Sequence, residues 1–178
     1  MPLDPFFRSI PLAAPGAIGC AIAFALVAPL LGRRLGVPPM TAWFFCTALG
    51  GFAALTLTPS GSALEGYRQG STHFSASLVW PTVEQLTSTN DVSLNVAAGV
   101  TLGAAGFVMS RARRHWAPLL IVVVAPVGAE VVQWTVPQLG RSGFLLVDVL
   151  DNWIGIAVGT AVAALITVAA TPRSYAAG

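Results

Sequence analysis

Carboxylates, amides and one arginine recur at short spacings in the second half of the chain. These residues are Asp91, Asn95, Glu130, Gln133, Arg141, Asp148, Asp151 and Asn152. Paired carboxylates can divide into a general acid and a general base when burial separates their pKa values, or they can hold a divalent cation through oxygen ligands. The spacing alone specifies neither chemistry, and it identifies no cofactor beyond a possible divalent cation.

Helical spacing would bring these side chains together in small groups. Asp91 and Asn95 are four residues apart, and Glu130 and Gln133 are three apart, so each pair lies on one face of a helix. The third group follows an i, i+3, i+4 pattern that starts at Asp148, at the predicted beginning of a helix. We therefore predict one polar pocket built from all eight residues.

The composition indicates the kind of element that must position this pocket. The chain is 55% hydrophobic and only 9% charged, which is too apolar for the surface of a soluble domain of this size. A membrane-spanning helix needs about 20 largely apolar residues. We predict a single all-α membrane domain over residues 1–178, a transmembrane helical bundle of about five spans. The predicted spans are residues 14–31, 40–57, 92–109, 117–134 and 152–170.

The distribution of arginine predicts an orientation. Six of the nine basic residues follow the first, third and fifth spans, at Arg33, Arg34, Arg111, Arg113, Arg114 and Arg173. The positive-inside rule places these ends in the cytoplasm, so the N-terminus lies outside and the C-terminus inside. Arg8, Arg68 and Arg141 would lie outside, and the polar pocket would face outward. A signal peptide is the alternative for the first span, but Asp4 in the leading region favours an uncleaved helix.

Several of these residues also have a structural interpretation. Asp148 and Asp151 could cap a helix and complement its dipole, which is worth about 0.5–2 kcal/mol each. Asn95 could be an interhelical hydrogen-bonding group, worth about 0.6 kcal/mol. Glu130 has no capping use at the end of a helix where the dipole repels it. A carboxylate near hydrocarbon needs a partner, and Arg141 is the nearest cation in sequence.

The spacing Gly155-x-x-x-Gly159 lets helices approach closely. It could support either a homodimer or packing within one chain, and we favour packing within the chain.

The order of the polar motifs resembles the VanZ-like family. The motifs are Asp91-x-x-x-Asn95, Glu130-x-x-Gln133, Arg141 and Asp148-x-x-Asp151-Asn152 followed by Gly155. The resemblance covers residues 58–159, although the family's bulkier run after the asparagine is replaced here by small residues. It implies a multi-pass protein of the bacterial cytoplasmic (inner) membrane, and the family's namesake is associated with low-level resistance to the glycopeptide teicoplanin.

Our first hypothesis is a cell-envelope protein whose pocket binds or modifies a lipid-linked precursor or a lipophilic glycopeptide antibiotic. Glu130 would be the base or ligand, with Asp148 and Asp151 as its partners, and Arg141 would anchor an anionic head group. The alternative is a non-enzymatic membrane scaffold or partner-binding protein, in which the polar cluster only locks the five helices together. A transporter is less favoured because the acids gather at one face rather than at the midplane. The expected partner is the lipid bilayer, with no nucleic acid, and the oligomeric state is undetermined.

Overall fold

Five long helices make up most of the described chain. In the computed structural model the described residues are 10–66, 70 and 72–170, so Asp4, Arg8, Arg68 and Arg173 lie outside them. The helices are α1 (Ala13–Leu35), α2 (Pro39–Leu57), α3 (Gly61–Leu64), α4 (Val83–Thr87), α5 (Asp91–Arg113), α6 (Ala117–Thr135) and α7 (Leu146–Ala170). A 3-10 turn (Pro137–Leu139) and two short strands, β1 (Phe74–Ser75) and β2 (Phe144–Leu145), complete the elements.

The five long helices are each apolar and long enough to cross a membrane. Their most apolar windows have mean hydropathies between 1.5 and 2.1. The predicted fold class, an all-α bundle of five spans, is therefore confirmed. The largest difference in boundaries concerns α7, which begins at Leu146 rather than at residue 152. The predicted span 152–170 left out the apolar residues just before Asp148, which begin this helix.

Short turns make successive helices antiparallel. The α1–α2 turn uses Gly36 in the left-handed conformation, with φ of 66°. A Cβ atom makes this conformation unfavourable for most other residues. At the α5–α6 turn Arg114 adopts it, with φ of 51°. These turns and their arginines form one end of the bundle, which we name the arginine-rich end. Which side of the membrane this end faces stays a prediction from the charge distribution.

The tightest helix pair is α5 with α7. A Cβ atom added to any of four glycines would overlap a backbone oxygen of the opposite helix; the pairs are Gly99 with Asn152, Gly103 with Ile156, Gly155 with Val96 and Gly159 with Val100. The contacts advance in the same direction along both helices, so α5 and α7 are parallel. The preference for packing of Gly155-x-x-x-Gly159 within the chain is thus confirmed.

The apolar core lies between α2, α5, α6 and α7. Its fully buried members include Leu102 and Met109 of α5 and Val122 of α6, packed against Phe45 and Phe52 of α2. The loop between α2 and α5 returns to the bundle through a parallel pairing of β1 with β2. The rings of Phe74 and Phe144 stack at this pairing, with 5.1 Å between their centroids. This pairing holds the start of α7 beside the end of α6.

Replacement of Gly155 by alanine should destabilise the bundle, because the added methyl group would meet the backbone of α5. Overpacking of this kind costs about 1–3 kcal/mol. Thermal unfolding in detergent, followed by tryptophan fluorescence, should show a lower Tm. The matched control is Gly128→Ala on α6, where an added Cβ atom meets nothing within 4 Å. Equal Tm values for the two variants would contradict the proposed role of the glycine contact.

Candidate functional site

A polar cavity lies where the ends of α2, α5, α6 and α7 meet, opposite the arginine-rich end. Its volume is about 110 Å³. One water molecule needs roughly 10–15 Å³ of such space, so the cavity can hold several waters or a small polar group. The polar cavity is lined by Ile10, Leu55, Thr56, Asp91, Leu94, Asn95, Ala98, Glu130, Gln133, Arg141, Ser142 and Asp148.

Six of the eight residues singled out by the sequence line this cavity, and two do not. Asp151 and Asn152 lie on α7 and are buried away from it. The sequence analysis missed the contribution of α2, whose end supplies Leu55 and Thr56 to the wall. No sequence signal marks this contribution, because α2 reads as a uniformly apolar span.

Glu130 is the most buried acidic residue in the cavity wall. Its side chain is only 5% exposed. Its Oε2 accepts a hydrogen bond of 2.8 Å from the backbone N–H of Leu145, in the strand that precedes α7. Asp148 and Arg141 are close enough to interact with it electrostatically. Glu130 therefore links α6 to the start of α7, and only one of its two oxygens makes that link.

Arg141 is held by the backbone of α2 rather than by a carboxylate. Its Nη2 donates to the carbonyl oxygens of Leu55 and Thr58, each at 2.9 Å, and its Nε donates to Thr58 at 3.3 Å. These carbonyls end a helix, where four C=O groups have no partner within the helix. Arg141 was expected to be the direct partner of the acids. Instead, among the described residues its hydrogen-bond acceptors are backbone carbonyl oxygens and include no carboxylate.

Electrostatics at Arg141 nevertheless connect it to the acids. Burial lowers the pKa of the Arg141 guanidinium from its ordinary value, whereas the charges of Asp91 and Glu130 act in the opposite direction. An arginine side chain stays protonated in proteins. Arg141 thus remains a fixed positive charge that offsets part of the acidic charge in the cavity.

Gln133 and Asn95 differ in how much of their hydrogen bonding is used. The Gln133 side chain is 8% exposed, and its Nε2 donates to the carbonyl oxygen of Thr56 at 3.1 Å. This bond ties α6 to α2. Asn95 lines the cavity and makes no side-chain hydrogen bond to any residue that the structure describes. The interpretation of Asn95 as an interhelical hydrogen-bonding group therefore has no support in the contacts.

The three polar residues of α7 have separate environments. Asp148 lies in the first turn and lines the cavity, so the dipole interpretation fits it. Asp151 lies one turn deeper and cannot cap the helix. It is 1% exposed, and neither of its carboxyl oxygens has a hydrogen-bond partner among the described residues. Asn152 donates through Nδ2 to the carbonyl oxygen of Asp148 at 2.8 Å, and its Oδ1 is likewise without a described partner.

The geometry gives no support to a three-carboxylate cation site. Among the residues that the structure describes, no group of three or more histidine, cysteine, aspartate or glutamate side chains is arranged to hold a metal ion. Glu130, Asp148 and Asp151 are all within the described part of the chain. The charged and amide side chains that line the cavity are one buried acid, two acids that are more exposed, two amides and one arginine that is hydrogen-bonded to α2. In that order they are Glu130, Asp91 and Asp148, Asn95 and Gln133, and Arg141.

The fold and the cavity define a polytopic helical membrane protein with a polar cavity at one end of its bundle. A model of the VanZ/LLP1 family matches residues 42–167, and the chain belongs to this VanZ-like family. The matched region extends beyond residues 58–159 at both ends and contains all eight polar residues. No curated protein and no solved structure matches the chain.

Substitution of Arg141 by glutamine should lower the Tm in detergent, because three hydrogen bonds to the end of α2 would be lost. Hydrogen bonds from charged donors contribute about 1.5–3 kcal/mol each in favourable settings. Lysine should restore only part of the loss, since an ammonium group lacks the rigid planar fork of donors, on two nitrogens, that Arg141 uses. Arg113→Gln, an exposed arginine at the other end, is the control. An unchanged Tm for Arg141→Gln would contradict this assignment.

Substitution of Asp151 by asparagine should leave the Tm unchanged or raise it. The described contacts give this carboxyl group no hydrogen bond to lose. A neutral amide costs less to bury than a carboxylate that has no partner. Thermal unfolding in detergent again provides the measurement, with Asp148→Asn as the comparison. A clear fall in Tm for Asp151→Asn would show that a partner holds this carboxyl group in the folded protein.

Proposed function

We propose that the polar cavity is a binding site for the head group of a membrane-embedded cell-envelope molecule. The molecule would be a lipid-linked precursor or a lipophilic glycopeptide such as teicoplanin, handled at the outer face of the bacterial cytoplasmic membrane. This orientation follows from placing the arginine-rich end in the cytoplasm by the positive-inside rule. The observation that carries the proposal is the buried carboxyl group of Glu130 in the cavity wall.

The charge balance indicates which head groups the cavity would favour. Asp91, Glu130 and Asp148 line it, and Arg141 is the one basic residue among the described lining residues. Three of the five N–H donors of Arg141 are already directed to carbonyl oxygens at the end of α2, so only its Nη1 group is left for a phosphate. An amine or hydroxyl group that donates hydrogen bonds fits the acids and Asn95 better than an anion does.

If the protein modifies its ligand rather than only binding it, the residues of the cavity would have separate roles. Glu130 would be the general base, with Asp148 as the neighbouring acid and Asp91, Asn95 and Gln133 as contacts for the substrate. Asp151 and Asn152 lie behind Asp148, so they would act through it rather than touch the substrate. The binding form requires the same residues without proton transfer.

Glu130→Gln should abolish the function while the fold is retained. Glutamine keeps an oxygen that can accept the hydrogen bond from Leu145, so the link to α7 survives, but it removes the negative charge. The measurement is a mass-spectrometric profile of membrane lipids and lipid-linked precursors from cells with empty vector, wild type or the variant at equal abundance. A shift should be seen with wild type and be lost with Glu130→Gln.

The matched control is Glu84→Gln, which neutralises an exposed acid on α4 outside the cavity. It should give the wild-type profile. A teicoplanin susceptibility assay on the same four strains separates the two classes of ligand. If Glu130→Gln behaves as wild type in both assays, Glu130 has no part in the function and the proposal fails.

A second candidate function is a non-enzymatic scaffold, favoured by one specific observation. Arg141, Gln133 and Glu130 each form a hydrogen bond with backbone groups of another element. In that case activity would fall only in proportion to the amount of folded protein. A plot of activity against folded protein for Glu130→Gln and Arg141→Lys separates the two functions, since a cavity with its own chemistry loses activity at constant protein level.

A further inference from the structure

An apolar crevice runs along the outside of the α2–α5 pair. On α2 it is lined by Phe44, Thr47, Ala48, Gly51, Phe52 and Leu55, a face that repeats every three to four residues. On α5 it is lined by Ala98 and Thr101. Its volume is about 160 Å³. Both helices are membrane spans, so the open side of this crevice faces hydrocarbon.

The crevice lies next to the polar cavity. Leu55 and Ala98 line both spaces. On α5 the wall passes from Asp91 and Asn95 at the cavity to Ala98 and then to Thr101 in the crevice, on one helix face. A polar space at the bundle end thus borders an apolar one at membrane depth, with Leu55 and Ala98 between them.

The length of the crevice matches one leaflet. The rise from Phe44 to Leu55 is about 16 Å at about 1.5 Å per residue. The hydrocarbon core of a bilayer is about 30 Å thick, so half of it is about 15 Å. A chain that entered beside Leu55 would therefore reach the middle of the membrane at Phe44.

We propose that this crevice holds the hydrocarbon tail of the molecule whose head group occupies the polar cavity. The inference rests on the proposed function and adds the substrate class: an amphiphile with a small hydrogen-bond-donating head and at least one acyl or isoprenoid chain. Recognition of both parts explains how a cavity of only about 110 Å³ can select a membrane lipid. A water-soluble head group alone would lack the van der Waals contacts between tail and crevice, which replace the hydrophobic effect as the source of association inside a bilayer.

Gly51 provides a direct test. A Cβ atom at Gly51 meets no other atom within 4 Å, so leucine can extend into the crevice without a clash at its base. Gly128→Leu on α6 is the matched control, because an added Cβ atom there also meets nothing within 4 Å and Gly128 lines neither space. Both variants remove one helical glycine and add the same side chain.

The probe is phosphatidylethanolamine with a photoactivatable diazirine in one acyl chain, in phosphatidylcholine nanodiscs that contain the purified full-length protein. Crosslinks should concentrate on residues 44–55 in the wild type and in Gly128→Leu. Gly51→Leu should reduce them by roughly tenfold, since leucine fills space that the tail would occupy and removes its van der Waals contacts with the crevice. A phosphatidylcholine probe, which lacks a hydrogen-bond-donating head, should label this segment weakly. Glycerophosphoethanolamine, the same head group without tails, should compete poorly.

Three results would overturn the inference. The first is labelling spread evenly over all lipid-facing helices, and the second is unchanged labelling in Gly51→Leu. The third is a crosslink between two copies of the protein through the crevice, which would make it an interface. The lipid profile of Glu130→Gln is a separate test. If this variant loses the shift seen with wild type but the crevice shows no selective labelling, the proposed function is retained and the tail site is rejected. If the crevice is labelled selectively but Glu130→Gln gives the same lipid profile as wild type, the tail site is retained and the proposed function is rejected.

Discussion

The close contact between α5 and α7 determines where the acidic side chains of the site can lie. Four glycines let the two backbones touch, and the parallel alignment puts the N-terminal ends of both helices at the same end of the bundle. Asp91, Asn95 and Asp148 are consequently neighbours of one cavity. In hydrocarbon, helix association depends on such packing rather than on the hydrophobic effect. The contact that stabilises the bundle is therefore also what assembles the site.

The absence of water around a membrane span explains why polar side chains of the site bind the end of α2. The last carbonyl groups of α2 need partners, and the last turn of α2 carries no basic residue of its own. Arg141, more than 80 residues further along the chain, supplies them, and Gln133 does the same for Thr56. Polar residues at this end thus satisfy the backbone and line a cavity at the same time. That double use is why a structural and a chemical interpretation of each residue overlap.

The sequence was sufficient for the number of spans, because their length and hydropathy are local properties of the chain. It was also sufficient to select eight polar residues of which six line the cavity, and helical spacing correctly paired Asp91 with Asn95 and Glu130 with Gln133. The sequence was not sufficient where the environment of a side chain depends on a neighbouring helix. Asp151 shares a helical spacing with Asp148, but a helix that starts at Leu146 places it a turn deeper and out of the cavity. The acceptors of Arg141 are backbone carbonyls, which no side-chain pattern reveals.

Glu130 offers the sharpest distinction between a structural and a chemical role. Its structural task is to accept one hydrogen bond, from the N–H of Leu145. The oxygen of a neutral amide could accept that bond. Gln133, one turn further along the same helix face, already links α6 to another helix as an amide, by donating to Thr56 of α2. A carboxyl group at this depth costs a few kcal/mol more than an amide when it is ionised. The structural task alone therefore does not explain the acid, whereas a ligand that needs an acceptor, or a proton to be moved, would explain it.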